Sequence, residues 1–216
     1  MPEPASEPAA PKKPLVWLET AGAILMAVAS LSTAWCSFES SRWSGQSAKA
    51  ASAAESLERK ANVLRLDGLQ HKAVHLQVFM EYVAAHFAGN AALERFYVDR
   101  FPPEVRKAYD AWMAEKPFEN PAAAPHPFVT PYYETRGARE MESSLGEAAQ
   151  SKEKAQRTGV TAGSYLTNTV LLATVLFFVG ITARLPSPRI RLGSFFFGSA
   201  LFLFAVARMV VLPVQF

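Results

Sequence analysis

The sequence has little of what most catalytic sites require. It contains no GxSxG, no HExxH, no phosphate-binding glycine loop and no dinucleotide fingerprint. Acidic pairs such as Glu140 and Glu142 fall on different faces of a helix. We therefore expect no enzyme, no catalytic residue and no cofactor.

Cysteine is almost absent, since Cys36 is the single one. No intrachain disulfide can form, and the cysteine count does not indicate whether the chain lies in an oxidising or a reducing compartment. The net charge is +3, and the basic residues are scattered rather than gathered into a stripe with interleaved aromatics. Nucleic-acid binding is therefore not expected.

Lysine and arginine are missing from residues 15–36, and this apolar run has 22 residues. As a helix it would reach roughly 33 Å, enough to cross a bilayer. Glu19 lies near its start, where a carboxylate can reach headgroup water, and Trp17 and Trp35 mark its ends. A cleaved signal peptide is the alternative, but the bulky Trp35 stands where cleavage requires a small residue. We interpret the run as an uncleaved anchor.

The rest of the chain divides by composition. Residues 1–14 hold five prolines and almost no large apolar side chains, which predicts a disordered tail. The other predicted segments are a first transmembrane helix (15–36), a helical extracytoplasmic domain (37–158) with a proline-rich strap (117–131), a second transmembrane helix (159–183), a basic cytoplasmic turn (184–191) and a third transmembrane helix (192–212). The predicted fold class is all-α: an integral membrane protein with three transmembrane helices and a helical extramembrane domain between the first two.

Two stretches beside the spans repeat small residues every three or four positions. This spacing predicts amphipathic helices whose narrow seams pack antiparallel against each other. Asp67-Gly68 predicts a break after the first stretch. The seam residues are Ala48, Ala51, Ala54, Leu57, Ala61 and Leu64 in the first stretch, and Met141, Leu145, Ala148, Ala149, Lys152 and Ala155 in the second.

Three shorter helices are predicted inside the domain, over residues 69–88, 91–100 and 104–115. Gly89-Asn90 ends the first, and Pro102-Pro103 separates the other two. The strap, with five prolines in residues 117–131, is expected to lie over the domain by its aromatics; a ligand for a partner protein is the alternative. The faces of the first helix carry Val74, Val78, Tyr82 and Ala85, and Leu76, Phe79, Met80, Val83 and Phe87; the other two are expected to bury Leu93, Phe96 and Tyr97, and Val105, Tyr109 and Trp112.

Charge distribution predicts the orientation. The basic turn 184–191 and Lys12-Lys13 lie on one side of a three-span topology, which places them in the cytoplasm and residues 37–158 outside. Arg42 and Lys152 beside the spans on the other side weaken this asymmetry. The dozen residues with Trp35, Trp43 and Gln46 resemble the membrane exits of small bacterial membrane proteins. The expected location is a bacterial inner membrane.

Polar residues in the spans leave two interpretations open. Interhelical packing through hydroxyl groups is one, and a pore lining in an oligomer is the other. Ser194, Gly198 and Ala205 predict close helix contact, while Arg208 is expected to reach the outer interface or to pair with Glu39. The hydroxyl and amide residues are Ser30, Thr33, Ser37, Ser41 and Ser44 in the first span, and Thr167, Asn168 and Thr174 in the second.

Histidines four residues apart raise the question of a metal site. Asp67, His71 and His75 would share a helix face, and His86 or His126 would be needed to complete a site. Solvated or core histidines are the alternative, and the Gly68 break favours it. We expect no metal ligand here.

The combined pattern predicts a multi-pass structural or interaction protein, an accessory subunit of the cell envelope. Its expected partners are the lipid bilayer and either copies of itself or a heterologous membrane protein. The alternative is a homo-oligomeric channel, with the face of Ser30, Thr33 and Ser37 along the pore and Glu39 as an outer ring.

Overall fold

A computed structural model describes residues 16–129 and 131–214, and every regular element in this part of the chain is an α-helix. The predicted tail, residues 1–14, lies outside the described residues. The helices are α1 (Val16–Phe87), α2 (Ala91–Val98), α3 (Pro103–Met113), α4 (Ala138–Thr182) and α5 (Pro188–Val211). The all-α prediction is confirmed.

Three of these helices are long and apolar enough to cross a membrane. They are α1, α4 and α5, and each contains one of the apolar runs identified in the sequence. The connection between α4 and α5 is short, and Pro188 occupies the first turn of α5, where a missing N–H costs nothing.

The predicted break at Asp67-Gly68 is wrong, because α1 continues unbroken to Phe87. Gly68 is buried inside the helix, and a Cβ there would lie 2.5 Å from Thr135 Cγ2 and 2.8 Å from the Arg136 carbonyl oxygen. The glycine therefore permits a close approach of neighbouring chain. The helix ends where expected, just before Gly89, which adopts a left-handed φ of +68°.

The chain forms two compact units, of which the first comprises residues 16–49 and 154–214. Within it, segments of α1 and α4 run antiparallel in close contact. Ser40 Oγ donates to the Ala162 carbonyl at 3.0 Å, and Ser47 Oγ donates to the Ala155 carbonyl at 2.8 Å. Rising numbers on one helix against falling numbers on the other show the antiparallel direction.

The first half of the α5 helix joins this packing. Arg191 Nη2 lies 3.1 Å from Glu19 Oε1, so the carboxylate that we expected to reach headgroup water has a protein partner. Ser194 Oγ donates to the Phe178 carbonyl at 2.9 Å, and Gly198 is buried against Val179. The predicted close contact through Ser194 and Gly198 is confirmed.

The second unit, residues 50–153, contains the remainder of α1, all of α2 and α3, and the first part of α4. Alanines form the seam between its two long segments: Ala54, Ala61 and Ala148 are all buried. The predicted seam is only partly correct. On α1 the predicted residues from Ala51 to Leu64 are buried or half-buried, and only Ala48, in the first unit, is exposed. On α4 the residues Leu145, Ala149 and Lys152 are exposed, because the buried face of that helix runs through Ser144, Ala148 and Ser151.

The second unit has a core of mostly aromatic side chains. The predicted inward residues of α3 are buried, whereas Leu93 and Phe96 of α2 are exposed, so that part of the prediction is wrong. The 117–129 segment contains no helix and places Phe128 in the core. The buried members of this core are Phe79, Tyr82, Phe101, Val105, Ala108, Tyr109, Trp112, Phe128 and Tyr133.

Candidate functional sites

A polar cluster, consisting of Cys36, Glu39, Tyr165 and Asn168, lies buried among the apolar helices of the first unit. Asn168 Nδ2 donates to the Ala205 carbonyl at 3.0 Å and lies 3.5 Å from Cys36 Sγ. One amide side chain on α4 thus contacts both α1 and α5. Such a contact sets the rotation of the helices about their axes and their vertical register.

Glu39 belongs to this cluster and has no exposed surface. It lies one turn beyond Cys36 on α1, enclosed by the helices of its own chain. The predicted outer ring of Glu39 carboxylates is therefore wrong, because a side chain enclosed by its own helices cannot face the axis of an oligomer.

Arg208 lies at the same level of the first unit. Its neighbour Met209 places Sδ 3.7 Å from Cys36 Sγ, and Arg208 itself is half-buried in the last turns of α5. The Tyr165 hydroxyl donates to the Pro213 carbonyl at 3.2 Å, which ties the end of α5 to α4. These contacts thus fix the C-terminal end of α5 against α1 and α4.

Hydroxyl groups in the apolar helices mostly donate to their own backbone. Thr33, Thr167 and Thr174 donate to the carbonyl four residues earlier at 2.7, 2.9 and 3.0 Å. A hydroxyl bonded in this way is satisfied within its helix and does not require water. The four serines of the predicted stripe, Ser30, Ser37, Ser41 and Ser44, are exposed on α1.

Replacing Asn168 by leucine tests whether the polar cluster stabilises the helix packing. We expect the free energy of unfolding in detergent to fall by about 1–2 kcal/mol, since contacts to two helices are lost. The measurement is the loss of helicity against denaturant. Thr167→Val is the matched control: Thr167 is adjacent but exposed and bonded to its own helix, so it should change stability by less than about 0.5 kcal/mol. Equal effects of the two substitutions would contradict the role of Asn168.

The histidines have separate partners. His75 Nδ1 lies 2.8 Å from the Tyr133 hydroxyl, His71 Nε2 lies 3.0 Å from Arg136 Nη1, and His86 Nδ1 lies 3.2 Å from Glu94 Oε1. Within residues 16–129 and 131–214, no group of three or more His, Cys, Asp or Glu side chains is placed to hold a metal ion. His75 is therefore a buried histidine that packs beside the core residue Tyr133.

Burial makes His75 sensitive to pH. Loss of hydration lowers its pKa below the ordinary 6.5, and this outweighs the opposite influence of the Glu104 carboxylate. His75 Nδ1 shares a hydrogen bond with the Tyr133 hydroxyl, and Nε2 lies 4.0 Å from Glu104 Oε1.

Stability should therefore depend on pH through His75. An unfolded histidine binds its proton near 6.5, and the folded one does so only at lower pH, so the stabilisation is complete above 6.5 and is lost as pH falls through the folded pKa. The loss approaches about 1.4 kcal/mol for each unit between the two pKa values. Urea midpoints at pH 7.5, 6.5 and 5.5 should fall less in His75→Gln than in the natural chain. Parallel pH profiles would contradict the prediction.

A line of apolar side chains on α1, here called the outer seam, lies largely outside the core of the second unit. It comprises Leu66, Leu69, Ala73, Leu76, Met80, Val83 and Phe87. All are exposed except Val83, which is half-buried against the aromatic core, and Phe87 also contacts the Phe118 ring at 5.9 Å between centroids. The sequence pattern predicted two apolar faces on this stretch but did not indicate which of them forms the core. The alternating spacing of three and four residues along the outer seam is the sequence signal that could have identified it.

The described residues thus offer a buried polar cluster that packs helices, a core histidine and one outward apolar line. None of these assembles a nucleophile, a base and an anion-stabilising group around a common point. Comparison with models of protein families, with curated proteins and with solved structures finds no match for this chain.

Proposed function

We propose that this chain is a three-span membrane protein that acts as a structural or interaction subunit of the bacterial cell envelope, without catalytic activity of its own. Support for insertion comes from large apolar side chains that stay exposed on the apolar helices, such as Leu31 on α1, Phe177 on α4 and Leu203 on α5. Water would disfavour such surfaces, and lipid chains would cover them.

The proposed orientation puts the N-terminus and the basic turn in the cytoplasm and the second unit outside. Arg184, Arg189 and Arg191 cluster in and beside the turn between α4 and α5. Ser52→Cys and Ser187→Cys, each probed with a membrane-impermeant thiol reagent in intact and permeabilised cells, test the orientation. Ser52 should label in intact cells and Ser187 only after permeabilisation. Labelling of both from the same side would overturn the topology.

The outer seam is the observation that carries the interaction role. Five large apolar side chains line one face of a helix, and isolated exposed leucines would not repeat in this way. An amphipathic helix with such a face is a common surface for docking another helix. The second unit would thus serve as the docking module and the apolar helices as its anchor.

Cross-linking in native membranes at native expression, followed by mass spectrometry, tests the interaction role. We expect cross-linked peptides from the outer seam and the loss of these products in Leu69→Asp/Leu76→Asp. Val74→Asp is the matched control, because Val74 is equally exposed on the same helix but lies off the seam. Absence of any cross-linked partner at the seam would contradict the proposal.

A homo-oligomeric channel is the alternative function, and one observation favours it. Ser30, Ser37, Ser41 and Ser44 are exposed on α1, where several copies brought together would present hydroxyl groups to a common axis. Purified protein in planar bilayers would then conduct ions, and Ser37→Leu/Ser41→Leu would reduce the conductance. Silent bilayers across many fusions would remove this alternative.

A further inference from the structure

The outer seam has the spacing of a coiled-coil strip. Its seven members follow one another at intervals of 3, 4, 3, 4, 3 and 4 residues, which is the heptad a/d pattern. The next d and a positions toward the N-terminus are the polar residues Asn62 and Arg59, and at the other end Gly89 follows two residues after Phe87. The strip is thus three heptads long with polar or helix-ending residues at both limits.

The seam is held outward by the packing of the opposite face. Phe79, Tyr82 and Ala85 of the same helix are buried in or beside the aromatic core, so α1 cannot rotate to cover the seam without opening that core. Val83 is half-buried against the core, and the other large members of the seam remain between 39% exposed, at Leu76, and 75% exposed, at Phe87.

The residues beside the seam bear on the direction of a pair. The g positions carry Arg65, Lys72, Phe79 and His86, of which Phe79 is buried in the aromatic core, and the e positions carry Gln70, Gln77 and Ala84. In a parallel pair of identical helices, each g side chain faces the e side chain five residues later on the partner. Both basic residues would then face a glutamine, which can accept a hydrogen bond. An antiparallel pair would instead place Arg65 opposite His86, a less favourable contact.

Two further considerations agree with a parallel pair of this chain. If copies are anchored in one membrane with the same orientation, as the proposed function has it, their α1 helices run in the same direction. The exposed seam amounts to roughly 500 Å² per copy, or about 1,000 Å² for a pair, where specific interfaces begin.

We infer that the outer seam binds the same seam of a second copy, forming a parallel two-stranded coiled coil over residues 66–87. The a positions are Leu66, Ala73, Met80 and Phe87, and the d positions are Leu69, Leu76 and Val83. Ala73 in the middle of the a positions lets the two helices approach closely there.

Disulfide trapping of the full-length chain in native membranes tests the pairing. In a Cys36→Ala background, which removes the only natural thiol, Leu69→Cys and Leu76→Cys place identical residues opposite each other in a parallel pair. Mild oxidation should convert most of each variant to a covalent dimer. Val74→Cys, exposed on the same helix but off the seam, should give at least fivefold less. Equal trapping at Val74 and Leu76, or none at Leu69 and Leu76, would overturn the inference.

A second measurement covers a failure of the cysteine variants to fold. The molecular mass in mild detergent should be that of a dimer for the natural chain and for Val74→Asp, and that of a monomer for Leu69→Asp/Leu76→Asp with unchanged helicity. A natural chain that is monomeric at all concentrations would overturn the inference. Opposite-side labelling of Ser52→Cys and Ser187→Cys would then leave the membrane proposal standing, and a heterologous cross-link at the seam would identify another occupant.

Discussion

Replacing Phe79 by alanine is expected to lower the free energy of unfolding of the second unit by about 3–5 kcal/mol. Phe79 is only 4% exposed and lies at the centre of the aromatic core. Its ring packs edge to face with Trp112 at 5.4 Å and with Phe128 at 5.6 Å between centroids. Truncation removes buried apolar surface and leaves a cavity between the helices and the 117–129 segment.

Denaturant unfolding of the full-length protein in detergent measures this effect. Phe96→Ala provides a control with the same chemical change, because Phe96 is 47% exposed on α2. Its cost should stay below about 1 kcal/mol. If Phe79→Ala cost no more than Phe96→Ala, the aromatic core would not be the main source of stability of this unit.

Replacing Gly68 by leucine should destabilise the second unit by about 3 kcal/mol, although leucine is the better helix former. A side chain at this position meets the Arg136 carbonyl oxygen, which is backbone and cannot turn aside. The segment before α4 would have to move away from α1, and the contact between them would be lost.

Gly146→Leu is the matched control for this prediction. Gly146 lies inside α4 of the same unit, and a Cβ there meets nothing within 4 Å. The same substitution should therefore raise stability by about 0.5–1 kcal/mol through helix propensity alone. The two substitutions are expected to shift the thermal midpoint in opposite directions. A shift in the same direction for both would show that Gly68 does not mark a close approach.

Periodicity located the helices well. Long apolar runs with almost no lysine or arginine predicted the three apolar helices, and Pro102-Pro103 and Gly89 predicted element ends, because these signals act within one or two turns of the chain. The same local information misjudged Asp67-Gly68. A mid-helix glycine costs only about 1 kcal/mol, which tertiary packing readily outweighs.

The candidate sites were less predictable than the helices. The sequence places Glu39 just past an apolar run, where a carboxylate normally meets water, and its periodicity places Leu76 and Phe79 on the same predicted apolar face. Burial of Glu39 and Phe79, and exposure of Leu76, follow from how each helix is rotated against its neighbours. No pattern within a single helix contains that rotation.

Sequence alone therefore determined that the described chain is helical, where its apolar runs lie and that small residues recur at helix-packing intervals. These properties depend on backbone sterics and on residues within a few turns of each other. Tertiary structure decided which apolar face of α1 forms the core, that Gly68 admits a neighbouring segment and that Asn168 contacts two other helices. Those outcomes depend on side chains as far as 132 residues apart in the chain, and the packing of whole helices decides whether they meet.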